Sequence, residues 1–383
     1  MRKRYLPEVK TLRRVRIGVI GCGAIAQVHH LPNLTALHRE FEVPIVCDLS
    51  QGAAQAVAKR FHVPQFVTDY NELLATDVDA VLLCHGDPKT EVALAAFEAG
   101  KHVFIEKPVC FSLQEMDAML TAQREARTVA QAGYMKVHDP AFQFAKREVD
   151  TMESYRFVQI NHLHPNNSLH LSQFDVERFN DVSPDAFKPA GEAREKAHAE
   201  AIGDILSQVS LESDTYNKAA RVFYLLAGSM IHDIYSLRVM LGSPSEVISA
   251  EVWSDGRGVS IVFGYPNGAR CIATWVDLPD LWDFKETLEI YGDNKRVIVS
   301  YPTGFSRGIL SEVTIHGIDA DGTTYSKTPA IEWESAFVRE LRHFHACITE
   351  GETCYTSLAS ARNDIALIID IVKCYVEGKA VCL

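Results

Sequence analysis

The sequence predicts an α/β protein that combines an N-terminal, doubly wound parallel sheet with a C-terminal α+β domain, whose large open sheet is mostly antiparallel. Three observations predict this fold. A glycine-rich turn joins the first strand to the first helix, strands and helices alternate up to about residue 136, and strands dominate the rest of the chain. Because 383 residues are too many for one ordinary core, two domains are expected. We place them at residues 1–136 and 137–383.

The first strand runs from Arg16 to Ile20 and leads into the turn GCGAIA, which fits the pattern G-x-G-x-x-G/A. In this pattern the first glycine allows a tight turn, the second lets the backbone approach a pyrophosphate, and the third small residue lets the helix pack closely on the strand. The phosphates would lie at the helix N-terminus, where unpaired N–H groups favour an anion. The motif lies between a strand and a helix, as it requires. The predicted cofactor-binding residues of this turn are Gly21, Gly23, Ala24 and Ile25.

The second strand ends in Asp48, 22 residues after Ala26, where the ribose-binding carboxylate of such domains belongs. Asp48 would accept hydrogen bonds from the ribose hydroxyls and repel a 2′-phosphate, and no arginine follows it closely to bind that phosphate. We therefore predict NAD as the cofactor and rank NADP second. A second interpretation of Asp48 stays open, namely the N-cap of the next helix, for which Ser50 is an equally good candidate.

The stretch VFIEKPV ends another strand with Glu106, Lys107 and Pro108. Proline is tolerated just past a strand, and it keeps the residue before it out of helical angles. Taken alone, such a charged pair is more often solvated at the surface. In a doubly wound sheet, however, ligands bind beyond the carboxyl ends of the strands. In this fold we therefore expect the pair to face the ligand.

The composition excludes several classes of protein. The formal net charge is −12, from 38 basic and 50 acidic residues, and we find no basic stripe, so no nucleic-acid partner is expected. No apolar run reaches the roughly 18 residues that span a bilayer, so no membrane partner is expected either. The nine cysteines are scattered and form no C-x-x-C. This usage is typical of reduced thiols in a cytoplasmic protein.

From about residue 137 onward the pattern predicts strands joined by turns, including the hairpin signal Pro266-Asn267-Gly268. The predicted strands are YRFVQINHLH, EVISAEVW, GVSIVFGY, ARCIATWVDL, DFKETLEIYG, KRVIVSY and SEVTIHGI. A final helix is predicted over residues 357–377, with apolar residues at helical spacing and Gly378 as its stop. Residues 165–215 look like an insertion, for which a lid, an interface element and a plain surface excursion all stay open.

The strings GCGAIA, AFEAGKHVFIEKP and SMIHDIYSLRVMLG together resemble the Gfo/Idh/MocA oxidoreductase family, of the glucose–fructose oxidoreductase and inositol dehydrogenase type. The resemblance covers most of the chain. It implies an N-terminal Rossmann domain, a C-terminal α/β domain, and NAD(P)-dependent oxidation or reduction of a hydroxyl or carbonyl group in a sugar or cyclitol. It also implies a homodimer or homotetramer that forms through the C-terminal sheet.

Carried over residue by residue, Lys107 resembles the active-site lysine of the family, Glu106 its cofactor-contacting neighbour and His232 the acid/base histidine. Two departures matter. Gly228 stands where the family often has an aspartate, so the proton relay is incomplete, rerouted or tuned for another substrate. The run Cys84-His85-Gly86-Asp87 replaces the familiar T-P-N, so we predict that His85 lines the nicotinamide pocket.

Further residues complete the predicted site. Lys136 and His138 fall where the crossover segment of the family reaches the substrate. His162 and His164 lie two apart on a predicted strand and would share a face. A zinc site needs three or four converging ligands, and no paired spacing indicates one, so no metal is predicted. The predicted substrate-binding residues are Lys136, His138, His164 and Tyr235.

Three hypotheses about function follow from these residues. The leading one is reversible hydride transfer between NAD and a secondary alcohol, in which His232 takes the hydroxyl proton and Lys107 stabilises the negative charge that develops on oxygen. The second is a redox-neutral cleavage of a glycoside, assisted by tightly held NAD. The third is a non-catalytic regulator that binds a dinucleotide, which the loss of aspartate at Gly228 keeps open.

Overall fold

A computed structural model describes residues 13–207 and 213–378 of the chain. Its N-terminal part contains a parallel sheet, as predicted; the sheet has seven strands, of which the two-residue strand Phe41–Glu42 was not predicted. These strands are β1 (Val15–Ile20), β2 (Phe41–Glu42), β3 (Ile45–Cys47), β4 (Gln65–Val67), β5 (Ala80–Leu83), β6 (His102–Glu106) and β7 (Ala130–Gly133). They lie in the order β4-β3-β1-β5-β6-β7, with β2 also beside β1.

Helices connect these strands, and the strand order fixes where a ligand can bind. The helices are α1 (Leu31–Ala36), α2 (Gln51–Arg60), α3 (Tyr70–Leu74), α4 (Thr90–Glu98) and α5 (Leu113–Ala126), and a π-helical turn over Ala26–His30 precedes α1. The chain adds strands on one side of β1 up to β4 and on the other side from β5 onward. Ligands bind at such a reversal, beyond the carboxyl ends of the strands, so the ends of β1 and β5 mark the crevice.

The second sheet has eight strands. These are β8 (Phe157–His164), β9 (Glu246–Trp253), β10 (Gly258–Gly264), β11 (Arg270–Asp277), β12 (Lys285–Tyr291), β13 (Lys295–Tyr301), β14 (Glu312–Ile318) and β15 (Thr324–Lys327). Their order is β15-β14-β13-β12-β8-β11-β10-β9, and every neighbouring pair is antiparallel except β8 and β11. All seven strands predicted for this region are present, and the predicted fold class is confirmed. The short strand β15 was not predicted.

Seven helices belong to the remainder of the described chain. They are α6 (Pro140–Asp150), α7 (Asn167–Leu171), α8 (Lys188–Ser207), α9 (Ser213–Leu225), α10 (Ile231–Leu241), α11 (Ala336–Thr349) and α12 (Leu358–Glu377), with 3₁₀ turns over Met135–His138, Pro184–Phe187 and Ser254–Gly256. The predicted final helix is confirmed as α12, which ends at Gly378 in the left-handed conformation. In residues 13–207 and 213–378, no helix combines the length and apolarity needed to cross a membrane.

The last two helices pack back onto the N-terminal sheet. Leu341 and Phe344 of α11 lie in one buried cluster with Ile17 of β1 and Phe104 of β6. The N–H of Ala132 in β7 donates to a carbonyl of the loop before α12, at 2.8 Å. The cores of the two halves are therefore joined through the C-terminal helices, and the domain boundary at residues 136/137 stays a prediction.

Candidate functional site

The glycine turn lies at the reversal point of the first sheet. Gly21 has φ +98°, and a Cβ atom placed there would lie 2.2 Å from the backbone nitrogen of His85. The conformation and the close approach of the loop after β5 both require glycine. At Gly23, in contrast, a Cβ atom would have no heavy atom within 4 Å. The turn is thus closed on the side of the sheet and open at Gly23, where a pyrophosphate could approach.

Asp48 follows β3 and faces this turn. Its carboxylate accepts hydrogen bonds from the backbone N–H groups of Cys22, at 2.7 Å, and Ser50, at 2.9 Å. The cap of α2 is the hydroxyl of Ser50, which accepts from the N–H of Ala53 at 2.9 Å. Asp48 is therefore not the N-cap. Each carboxylate oxygen keeps a further lone pair, so Asp48 can still accept ribose hydroxyl groups.

Glu106, the last residue of β6, is buried beside a histidine that follows the glycine turn. Its Oε1 lies 2.6 Å from Nε2 of His30, and its Oε2 accepts the N–H of Lys107 at 3.1 Å. Burial alone would raise the pKa of Glu106, but the hydrogen bond with His30 and the nearby positive charges hold the pKa below its usual value. Glu106 is therefore ionised, and it supplies a fixed negative charge below the crevice.

Lys107 projects from the end of β6 toward the helix of the second half. Its Nζ donates to the carbonyl oxygen of Gly228 at 2.8 Å. Gly228 lies in a π-helical turn, Leu226–Met230, directly before α10, and such turns are frequent at functional sites. Burial lowers the pKa of Lys107, and the charge of Lys89 adds to this against the opposing effect of Glu106. One of the three ammonium protons is thus used, and two remain for a ligand.

His232 lies on α10, one turn after Gly228. Its Nδ1 is 2.8 Å from the hydroxyl oxygen of Tyr235. Burial, with the charge of Lys107, lowers the pKa of His232 well below its usual value. The imidazole is therefore neutral near pH 7, as a proton acceptor must be.

One cavity of about 130 Å³ brings these groups together. Its lining includes Ile25 of the glycine turn, Glu106, Lys107, Lys136, His162, His164, Gly228 and His232. The cofactor turn and both predicted catalytic residues therefore meet at one space. Gly23, with open space beside its Cα, and Asp48, with free acceptor sites, lie at the ends of the neighbouring strands β1 and β3, so the residues present fit a dinucleotide.

His85 lies at the turn itself rather than in this cavity. It follows β5, against Gly21, and burial lowers its pKa to about 4. The backbone of His85 packs against Gly21 in the glycine turn. Its contact with the cofactor stays a prediction.

Two of the predicted substrate residues, His138 and Tyr235, do not line this cavity, and their contact with a substrate stays a prediction. His138 is 1% exposed, and its Nδ1 lies 2.8 Å from the hydroxyl oxygen of Tyr355. Tyr235 is fully buried behind His232 and stacks on Tyr134 with 4.1 Å between ring centroids. The resemblance placed His138 in the crossover segment, and Tyr235 follows His232 by three residues, but neither observation indicated which side of the element faces the cavity.

A buried polar network on the far wall of the cavity was missed by the sequence analysis. Nδ1 of His162 lies 2.7 Å from Asp233, and its Nε2 lies 3.1 Å from Nδ1 of His164. Lys136 forms an ion pair with Glu286, and both side chains are almost fully buried. Only the pairing of His162 and His164 on one strand face gave a signal in the sequence.

The same network bears on the metal prediction. The ligand atoms of His162, Asp233 and Glu286 lie within 4.8 Å of one another, but the Lys136 ammonium already neutralises Glu286. Buried charges of this kind are normally paired. The prediction that no metal binds stays a prediction.

Glu340 of α11 gives a testable consequence for stability. It is fully buried, and neither carboxylate oxygen has a hydrogen-bond partner among the described residues. Burial, with the nearby charge of Glu106, raises its pKa well above the usual value. Above the ordinary glutamate pKa the unfolded state ionises while the folded state stays protonated, so this group costs stability as the pH rises. We expect Glu340→Gln to raise the free energy of unfolding at pH 8 by about 1–3 kcal/mol, and by less at pH 5.

Thermal unfolding at the two pH values measures this effect. Glu350→Gln, which changes an exposed glutamate at the end of the same helix, is the matched control and should show no such difference. An equal effect of Glu340→Gln at pH 5 and pH 8 would contradict the assignment of a raised pKa.

Comparisons with known proteins agree with this geometry. Residues 15–134 match the model of an oxidoreductase family with an NAD-binding Rossmann fold. The chain is 32% identical over 146 residues to scyllo-inositol 2-dehydrogenase (NAD(+)) of Bacillus subtilis, which is 37% of this chain and 41% of that protein. It is 36% identical over 142 residues to inositol 2-dehydrogenase of Acidothermus cellulolyticus, which is 36% of this chain and 41% of that protein. The chain thus spans about two fifths of the length of these relatives.

Solved structures extend the likeness of the fold to nearly the whole chain. UDP-N-acetylglucosamine 3-dehydrogenase from Acidithiobacillus ferrooxidans has a TM-score of 0.70 at 18% identity, covering 96% of this chain and 100% of that chain. A 3-ketoreductase from Actinomadura kijaniata, in complex with NADP and TDP-benzene, has a TM-score of 0.70 at 18% identity, with 95% and 98% covered. At these identities the likeness shows the fold.

Proposed function

We propose that the chain, whose residues 15–134 match the oxidoreductase family model, is a member of the Gfo/Idh/MocA family and an NAD-dependent oxidoreductase. The proposed reaction transfers a hydride between nicotinamide and a secondary hydroxyl or carbonyl group of a sugar, glycoside or cyclitol. One observation carries this proposal: Ile25 of the cofactor turn lines the same cavity as Lys107 and His232. When bound, NAD supplies the hydride acceptor or donor.

His232 is the proposed acid/base. The hydroxyl oxygen of Tyr235 accepts the backbone N–H of Lys136 at 3.2 Å, and its own proton points to the sulfur of Met135 at 3.6 Å. We therefore assign the Nδ1 proton of His232 to the hydrogen bond with Tyr235. This tautomer leaves the lone pair on Nε2 for the substrate hydroxyl proton.

Lys107 is the proposed stabiliser of charge on the reacting oxygen. Its bond to the carbonyl of Gly228 fixes the ammonium on the turn that begins the helix of His232. The two remaining N–H donors can reach an oxygen in the cavity that they share with His232. Preorganised donors of this kind act strongly in a site that excludes water.

The far wall of the cavity is the proposed substrate-binding surface. Burial, with the charge of the neighbouring His162, lowers the pKa of His164 to about 4, so His164 is neutral. Its Nδ1 faces His162, and its Nε2 remains for one hydrogen bond with a ligand. Lys136, held by Glu286, adds a fixed donor. A wall of this composition fits a ligand with several hydroxyl groups.

The test is a substrate panel of inositols, sugars and glycosides, mixed with the purified protein and NAD. Formation of reduced nicotinamide with at least one member supports the proposal. Glycoside cleavage without added cofactor and without net reduction would instead support the redox-neutral reaction. Absence of NAD binding would overturn the proposal altogether.

Tyr235→Phe tests how His232 is held. The variant removes the acceptor of the Nδ1 proton but keeps the stacked ring, so we expect kcat to fall about tenfold, the value of one hydrogen bond, with the KM for NAD unchanged. Steady-state kinetics and thermal unfolding measure the two effects. Tyr134→Phe is the control, since the buried Tyr134 hydroxyl has no hydrogen-bond partner among the described residues. Equal losses in both variants would show that the Tyr235 hydroxyl has no special task.

We also propose a homodimer or homotetramer that forms through the outer face of the second sheet, in the cytoplasm. Ile272 of β11 is 40% exposed, and a subunit packed on that face would bury it. The eight cysteines of the described residues carry no disulfide, which is usual for a reducing compartment. Light scattering behind a sizing column measures the state, and a monomer that persists at micromolar concentration would contradict the oligomer.

A further inference from the structure

Part of the insertion returns to the glycine turn and runs along it. We call residues 174–181 the strap. The side chain of Gln27, which directly follows the turn, donates to the backbone carbonyl of Glu177 and accepts its N–H, both at 3.0 Å. Arg60, at the end of α2, donates to the backbone carbonyl of Asp175. The strap is therefore attached to the cofactor-binding half of the chain by backbone hydrogen bonds at two points.

The end of the strap lies on the start of α2. The carboxylate of Asp181 accepts the hydroxyl of Ser50 at 2.5 Å and the backbone N–H of Gly52 at 2.8 Å. Phe179 covers Gly52, because a Cβ atom placed at Gly52 would lie 2.5 Å from its ring. Phe179 itself is 42% exposed. The strap is thus a surface segment held by polar contacts. It contacts Ser50 and Gly52, which follow Asp48 in the chain by two and four residues.

The contacts of Asp181 occupy the hydrogen-bond donors that the 2′-phosphate of NADP would need. In a Rossmann domain Asp48 stands at the adenosine ribose, so a 2′-phosphate would lie beside the residues that follow it. Two donors there are the Ser50 hydroxyl and the N–H of Gly52 in the first turn of α2, and such donors suit an anion. Both donate to the Asp181 carboxylate. A phosphate would have to displace that carboxylate or remain close to its charge.

We propose that the strap completes the adenosine end of the dinucleotide site and that Asp181 selects NAD by excluding a 2′-phosphate. This inference rests on the proposed function. It assigns cofactor discrimination to two carboxylates, one at the end of β3 and one in an insertion after β8. Phe179 supplies an exposed aromatic surface at the adenine end, so it contributes to the binding of both cofactors alike.

The charge of Asp181 supports this role. The hydrogen bonds from Ser50 and Gly52 lower its pKa, so the carboxylate is ionised throughout the neutral range. Two ionised carboxylates on this side of the site oppose a phosphate group by like-charge repulsion. The uncharged ribose hydroxyls of NAD meet no such repulsion: Asp48 accepts them, and Asp181 stays bonded to Ser50 and Gly52.

The experiment is a titration of the full-length protein with NAD and with NADP. In the wild type we expect tighter binding of NAD. Asp181→Ser is expected to improve the preference for NADP by about tenfold or more, which corresponds to about 1.4 kcal/mol, with little change in the Kd for NAD. Phe179→Ala should weaken both cofactors by a similar factor. Asp175→Asn is the control and should leave both Kd values unchanged. It removes a charge from an exposed side chain of the same strap, at a residue whose backbone carbonyl accepts from Arg60.

The outcomes separate the two proposals. If the wild type binds neither cofactor, the proposed function fails and the inference fails with it. If the wild type binds NAD but Asp181→Ser keeps the wild-type ratio of the two Kd values, only the inference about the strap is overturned. A wild type that prefers NADP would also overturn that inference, and it would leave the oxidoreductase function standing.

Discussion

Replacing Lys107 with alanine is expected to lower kcat by about 10²–10³-fold, the usual effect of removing one preorganised donor from a reacting oxygen. The Kd for NAD should change little, because the pyrophosphate and ribose contacts lie at Gly23 and Asp48, away from the ammonium. Steady-state kinetics with the best substrate of the panel and a separate binding titration measure the two quantities. The loss should appear in kcat more than in KM, since the interaction strengthens in the transition state.

Lys101→Ala is the matched control for this prediction. Lys101 lies at the opposite end of β6, and its ammonium donates to the backbone carbonyls of Thr76 and Val78. The Lys101→Ala variant removes the same type of side chain next to the same strand without changing the cavity, so kcat should stay at the wild-type value. Near-wild-type turnover of a folded Lys107→Ala protein would rule out the proposed role of Lys107.

Replacing His232 with alanine is expected to lower kcat/KM for alcohol oxidation by about 10²–10⁴-fold at neutral pH, the range typical of a lost general base. Added imidazole should restore part of the activity, because the variant leaves space next to Tyr235 where the free base can bind. Kinetics with and without imidazole measure this. His38→Ala, which removes an exposed histidine just after α1, should keep wild-type activity and show no rescue.

The pH profile of the wild type gives an independent test of the same residue. His232 must be neutral to accept a proton, and burial with the charge of Lys107 holds its pKa well below the usual value. Activity should therefore remain level as the pH falls through 6.5 and decline only at more acidic values. A decline centred at or above pH 6.5 would contradict a neutral, buried His232 as the base.

The parts of the site that follow from local sequence were predictable. Gly21 and Gly23 are fixed by the turn between a strand and a helix, and Asp48, Glu106 and Lys107 stand at strand ends that a doubly wound sheet must bring to one edge. These inferences need only the order of the strands. The choice between Asp48 and Ser50 as the cap of α2 stayed open in the sequence, and the local backbone in the structure decides it in favour of Ser50.

The parts that join distant segments were not predictable from one sequence. Lys136 and Glu286 are 150 residues apart, and Ser50 and Asp181 are 131 apart, so periodicity could place each on an element but could not pair it with its partner. The position of Tyr235 was also not predictable, although it shares a helix with His232. Spacing predicts that the two lie on nearby faces, but only packing decides which of them reaches the cavity.

The packing of α11 against β1 has a consequence for the order in which the protein can fold during synthesis. Leu341 and Phe344 belong to the buried cluster of the first sheet, yet they leave the ribosome some 200 residues after β7 is complete. N-terminal domains usually fold first and as units. Here the cofactor-binding sheet keeps one apolar surface uncovered until α11 has been made. The emerging chain must therefore be protected from aggregation during that interval, and a fragment that ends near residue 136 would expose the same surface permanently.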